Sequence, residues 1–424
     1  VTAASTNNVV TGVTSDAQNN TVAGTNAGDS FDGTNALNNT LIGYDAGTAI
    51  TTSDNGTAVG KDALKANTTG QANTAIGSQT LKANTTAANN TAVGVSALEL
   101  NTTGQKNVAL GAEALDANTT ASDNTAVGYS SLSANTTGAS NTACGKNALM
   151  SNTTAINNTA VGLDALKVNT TGFSNVAVGA YALDANTTGD FNNAFGLGAL
   201  GANTTADGNS GFGHGTLNVN TTGANNVAVG NIALAANTTG QKNVAVGAYA
   251  LDANTTANQN TACGYSSLGL NTTGYENSAF GDSALSANTT GNRNTGLGRA
   301  SLNANTTGGF NVAVGYSALY ANTTANNNTA LGYYALLANT TGTNHTAVGT
   351  NAGVSVTTNN GGTFVGAYAG NSYTGNNITA VGLNALRTCT TAEQMTAVGD
   401  NALYSVGSGG AYSVAVGTNA LYSL

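Results

Sequence analysis

Residues 73–89 read N-T-A-I-G-S-Q-T-L-K-A-N-T-T-A-A-N, and residues 90–106 read N-T-A-V-G-V-S-A-L-E-L-N-T-T-G-Q-K. The two lines agree at Asn73 and Asn90, Gly77 and Gly94, Leu81 and Leu98, and in the N-T-T runs that open at Asn84 and Asn101. The shared glycine recurs every 17 residues from Gly43 to Gly366, then at Gly382, Gly399 and Gly417. A fixed period over such a length marks stacked repeat units. A unit this short cannot hold a helix pair, which takes about 30 residues or more. Its apolar residues come in short groups broken by Asn, Thr and Gly, as strands and turns do. Thr91-Ala92-Val93 and Leu98-Glu99-Leu100 each suit a short strand. The sequence therefore predicts an all-β fold, a parallel β-solenoid or β-roll of about 23–24 coils with a 17-residue repeat. At ~4.8 Å per coil the stack would be a rod about 110 Å long.

Composition supports a thin core repeated many times. The 424 residues include 56 Gly, no Pro and no Trp, and only 7% are charged. Large apolar residues are too few for a thick globular core, and charge is too low for an ordinary disordered chain. A net charge of −9 does not suit a nucleic acid partner. No apolar run reaches the ~18 residues of a membrane-spanning helix, so no membrane insertion is expected. Three cysteines give no disulfide framework. The chain opens at Val1 rather than Met, as a processed, secreted product would.

Positions are counted from the marker glycine. Position −1 is always apolar, as at Val59, Ile76 and Val93, and is expected to face the core. Leu holds position +4 without a break from Leu64 through Leu81 and Leu98 to Leu336, and is expected to form the second core row. Position −2 is nearly always Ala or Gly, which suggests a small outward row with something packed closely on it. The Asn rows, Asn67 and Asn84 at +7 and Asn73 and Asn90 at −4, are expected to point inward as amide ladders. Their slots accept Ile50, Val356, Tyr373, Cys389, Val406, Ile378 and Met395 in the less regular coils, which only a buried slot would do. Positions +1, +2 and +5 scatter (Lys61, Asp62, Arg299, Tyr334; Lys65, Glu99, Asp116, Met150, Tyr320) and are expected to face solvent.

The element N-T-A-V-G-Y-S-S at Asn124–Ser131, and N-V-A-V-G-Y-S-A at Asn311–Ala318, resembles the head repeats of YadA-like trimeric autotransporter adhesins. Related runs occur in bacterial and phage surface fibre proteins. The resemblance covers roughly Asn39 to Leu421, and the period here is longer, with the extra residues in N-T-T. It implies a left-handed parallel β-roll, often trimeric, at a cell or virion surface.

Three segments are expected: an irregular N-terminal stretch over 1–38 acting as a cap or inter-subunit strand, a regular solenoid over 39–349, and less regular coils over 350–424. Val9 and Val10 at one end, and Val416 and Leu421 at the other, are expected to meet between subunits, giving a head-to-tail filament. The sequence shows no catalytic constellation, metal-ligand cluster or cofactor motif: the two His, His214 and His345, lie far apart, and the three Cys read as small core residues. An enzyme is not expected. Outward Thr69, Thr86 and Thr103 are candidate glycan attachment points. Tyr129, Tyr265, Tyr316 and Tyr333 follow marker glycines and are candidates to stack on sugars. The expected function is a structural subunit of an extracellular fibre or filament, with itself and glycans as partners. The alternatives are an adhesin or phage tail-fibre shaft that binds cell-surface glycans, and an ice-binding solenoid.

Overall fold

The computed structural model describes residues 14–31, 33–390, 393–406 and 412–423. It divides into two units, Val1–Asp207 and Gly208–Leu424. In the first, Thr14–Ser15 pairs antiparallel with Thr21–Ala23. From Thr21–Ala23 to Asn193–Phe195, three-residue strands then pair in parallel, each with the next. The second unit repeats the arrangement from Ser210–Phe212 to Val414–Val416. Each unit is a parallel β-solenoid, as the 17-residue period predicts. Stacking already includes Thr21–Ala23, inside the segment 1–38 that was expected to be irregular. Val9 and Val10 lie outside the described residues.

Each coil has one strand, at positions −3 to −1, and not two. Leu98 sits at φ 51, so Leu98-Glu99-Leu100 is a turn and not the second strand the sequence suggests. The same left-handed backbone recurs at Leu64 (φ 51) and Leu81 (φ 49). It costs an L-residue about 1–2 kcal/mol, while burying the leucine contributes about 1.5–3 kcal/mol. Burial therefore offsets the strain at every step of the Leu row. The marker glycine is required on two counts. Gly60 has φ 136, outside the reach of other residues. A Cβ there would also fall on the Gly77 carbonyl of the next coil.

Leu64, Leu81 and Leu98 are fully buried in one column, as expected. The facing of the strand is the reverse of the sequence expectation. Ala58, Ala75 and Ala92 are buried, whereas Ile76 is 40% exposed and Val59 and Val93 are half-exposed. Successive strand residues take opposite faces, and with Leu filling the lumen only Ala fits beside it. Position −2 is uniformly small because it is the inside row. Cys144 and Cys263, which share position −1, are accordingly exposed, and of the three cysteines only Cys389 is buried.

The rule is confirmed by its exceptions. Leu41 takes the Ala slot where position +4 is Gly28 and Gly47 in the two adjoining coils. Phe364 does the same between Gly353 and Gly370. A Cβ on Gly353 would lie 2.9 Å from Phe364 Cδ2, and one on Gly370 would collide with the same ring. Each exchange loses two leucines for one large residue in the Ala slot, and apolar residues at position +7 take the rest of the space, Phe31 and Ile50 beside Leu41 and Val356 and Tyr373 beside Phe364.

Substituting Phe364→Ala should cost about 3–5 kcal/mol by leaving a cavity. Adding Gly353→Leu and Gly370→Leu together with Val356→Asn and Tyr373→Asn restores the regular pattern and should regain most of that loss. Gly370→Leu alone should destabilise by overpacking. Urea unfolding midpoints of the four proteins decide the matter.

Candidate functional site

Both Asn rows are buried and form ladders of two kinds. In the +7 row the amides bond directly: Asn84 Nδ2 donates to Asn67 Oδ1 at 2.8 Å, and Asn101 Nδ2 to Asn84 Oδ1 at 3.0 Å. In the −4 row the backbone takes part: Asn90 N donates to Asn73 Oδ1 at 3.0 Å, and in several coils the amide joins it, as Asn107 Nδ2 to Asn90 Oδ1 at 3.2 Å. The rows meet on one carbonyl. Ala87 O accepts from Asn73 Nδ2 at 2.8 Å and from Asn84 Nδ2 at 3.1 Å. Gly104 O accepts in the same way from Asn90 and Asn101. A buried amide left unpaired costs about 1–3 kcal/mol, and along the regular coils both the nitrogen and the oxygen of the Asn amide are bonded, as at Asn84 and Asn90. The +7 ladder stops where Val356 takes the slot, and Asn339 Oδ1 is left without a partner.

His345 stands in the −4 row and reproduces the pattern of its neighbours. Its backbone N donates to Asn328 Oδ1 at 2.9 Å, as an Asn would. Nε2 lies 2.6 Å from Asn359 O, and Gly362 N donates to Nδ1 at 3.0 Å. Only the neutral ring with its proton on Nε2 satisfies both contacts. Burial pushes the pKa of His345 below the usual His value.

The N-T-T residues divide by depth. Thr68 Oγ1 donates to Thr85 O of the next coil at 3.1 Å, and Thr102 Oγ1 to Thr119 O at 3.0 Å. The second threonines, Thr69, Thr86 and Thr103, are exposed, as expected for attachment points. The asparagines of the same N-x-T sequons are fully buried, so N-linked sugar is incompatible with the folded coil.

The outward strand face is the most uniform surface. Positions −3 and −1 hold Thr, Val, Ser, Asn, Ala, Ile, Leu, Phe or Cys, with no charged residue in any strand from Thr21–Ala23 to Val414–Val416. Val108, Leu110, Phe195, Phe212, Phe280 and Leu331 are among its exposed apolar residues. The turn edge is less open than the sequence suggests. Asp62 at position +2 is buried, with Lys65 ion-paired to it at 2.9 Å and to Asp45 at 2.8 Å. Position +5 is half-buried at Lys65, Glu99, Asp116 and Met150. Burial raises the carboxyl pKa of Asp116, Asp184 and Asp252, all in that row. Tyr129, Tyr265, Tyr316 and Tyr333 are exposed on this edge, and Tyr320 and Tyr334 join the last two. Val416 is 70% exposed, and Leu421 is also exposed.

Among the described residues no group of three or more His, Cys, Asp or Glu is placed to hold a metal ion, and no helix is long and apolar enough to cross a membrane. Comparison with known proteins finds no matching family model and no similar curated protein.

A His345 pKa held below its unfolded value near 6.5 means that the unfolded chain binds the proton more readily. Stability should be complete above about pH 6.5 and decline as pH falls below it. His345→Asn keeps both contacts and should remove this part of the decline while leaving the aspartates untouched. Thermal melts of both proteins between pH 7.5 and 5 measure the difference.

Proposed function

We propose that the chain is a structural shaft of an extracellular fibre, and that copies of it associate through the outward strand face and through strand pairing at the coil ends. The observation that carries the reading is the absence of charge from positions −3 and −1 in every strand. Strands about 10 Å wide, stacked ~4.8 Å apart, give each unit an uncharged face of about 500–600 Å² in projection. Its −1 row is apolar throughout and its −3 row is mostly Thr, so the face joins an apolar column to a hydroxyl column. A sheet face left to water would show scattered charge, as the turn edge does. At the last strand, Val414–Val416 pairs with Thr396–Val398, and its outward valines are exposed. A further coil, from whatever source, finds hydrogen-bonding groups there. The extracellular setting rests on the resemblance to surface-fibre repeats and on the exposed threonine column, which suits O-linked sugar. The shaft reading asks for no catalysis and no cofactor.

The face carries its own reporters. In dilute, dispersed protein Cys144 and Cys263 should react rapidly with a thiol reagent, and Cys389 only after unfolding. In assembled protein Cys144 and Cys263 should become protected. Val178→Glu with Val314→Glu should disperse the assembly without changing the circular dichroism. Unchanged thiol reactivity in a sedimenting oligomer, or a chain that stays monomeric at high concentration, would reject this interface. For the sugar, intact mass of protein from its native source should exceed that of the polypeptide, and Thr69, Thr86 and Thr103 should carry the excess.

A further inference from the structure

Four of the chain's 15 tyrosines fall within residues 316–334. Three of them, Tyr316, Tyr320 and Tyr334, line one groove of about 570 Å³ in the second unit, with Arg299, Asn303, Ser283 and Ser317. Tyr316 and Tyr333, one coil apart, stack with centroids 5.5 Å apart and planes 16° from parallel. Tyr334 leans on both, at 5.6 Å from Tyr316 and 4.0 Å from Tyr333. At one end Arg299 Nη1 donates to Tyr316 OH at 3.2 Å, with the guanidinium 5.7 Å from that ring's centre. Its Nε lies 3.6 Å from Asp282, and the Arg299 side chain is 63% exposed. A guanidinium has five N–H donors, so donors remain to face the groove.

Three coils away, about 14 Å at the coil spacing, the same edge holds a smaller groove of about 360 Å³. It contains Tyr249 and Tyr265, edge to face at 5.8 Å, with Asp252 and Ser266.

We propose that this tyrosine edge is a binding site for a linear saccharide lying along the coil axis, with an acidic sugar ring at Arg299. Three features select that class. Tyr316 and Tyr333 stack on one another and stay exposed, Tyr334 is half-buried against both, and Tyr320 is exposed beside them, so free ring area remains as a platform for the apolar faces of pyranose rings. Hydroxyl and amide groups of Ser283, Asn303, Ser317 and Tyr320 line the groove between the rings, matching the hydroxyl rim of a sugar. The coil rise is close to the length of one pyranose unit, so a chain along the axis meets one coil per sugar and reaches both grooves. Arg299 is the one cation in the lining, and its planar fork suits a carboxylate. The site lies on the turn edge, away from the outward strand face, and is independent of the assembly proposed above.

The test is calorimetric titration of the full chain with two hexasaccharides, a β-1,4-glucan and a β-1,4-linked uronate. The uronate is expected to bind, and Tyr316→Ala and Tyr334→Ala should each weaken it tenfold or more with unchanged circular dichroism. Arg299→Gln should weaken the uronate and leave any glucan binding unaltered. Val178→Glu with Val314→Glu should leave both affinities unchanged, which separates this site from the assembly face. Absence of uronate binding at millimolar concentration, or binding indifferent to the two tyrosine variants, would overturn the proposal. So would glucan binding that equals or exceeds uronate binding.

Discussion

The structure depends on one shared acceptor. The carbonyl at position +10, as at Ala87 and Gly104, takes a hydrogen bond from an asparagine of each row. With both lone pairs used, that oxygen fixes the distance between the two amide columns. Everything else in the coil has to be compatible with it. The lumen then has room for one leucine and small residues, and where a large residue enters the Ala slot, at Leu41 or Phe364, glycine replaces the leucines around it.

A repeat raises the stakes of each contact. A single leucine with positive φ in a globular protein is a local strain that its surroundings tolerate. Here the strain recurs in nearly every coil, beside a fully buried leucine and amides whose hydrogen bonds are met. Small margins of the same sign accumulate along the stack, because each coil contacts chiefly the coils before and after it. The marker glycine belongs to the same economy of space, since any side chain there would strike the next coil's backbone.

Much of this was legible in the sequence. The 17-residue register gave the stacking. Asn slots that accept Ile50, Val356, Tyr373 or Met395 declared themselves buried, and they are. The facing of the strand was misread because both of its candidate inner rows are apolar and hydrophobicity does not separate them. Size does: an inner row confined by Leu stays small, Ala or Gly wherever Leu holds position +4, as at Ala58, Ala75 and Gly296, while the outer row changes size freely, as at Val59, Ile76 and Phe280. The backbone at Leu98 was hidden for a different reason. Leucine disfavours φ near 51, and only the neighbouring coils impose it, so a local reading sees a strand. Arg299 and the tyrosines appeared as scatter because their rows are variable, and only the stacking of successive coils brings them together.

The direct amide ladder has a direction. The amide-to-amide bonds of the +7 row from Asn254 to Asn339 all run toward the lower-numbered coil, as from Asn254 to Asn237 and from Asn339 to Asn322. The carbonyl ends therefore all point the other way, and the column finishes on the bare oxygen of Asn339. Aligned amides polarise one another, so the lumen holds an ordered file of dipoles with its negative pole at that oxygen. The interior of the solenoid is electrically polar along its axis, although the side chains that make it so carry no net charge.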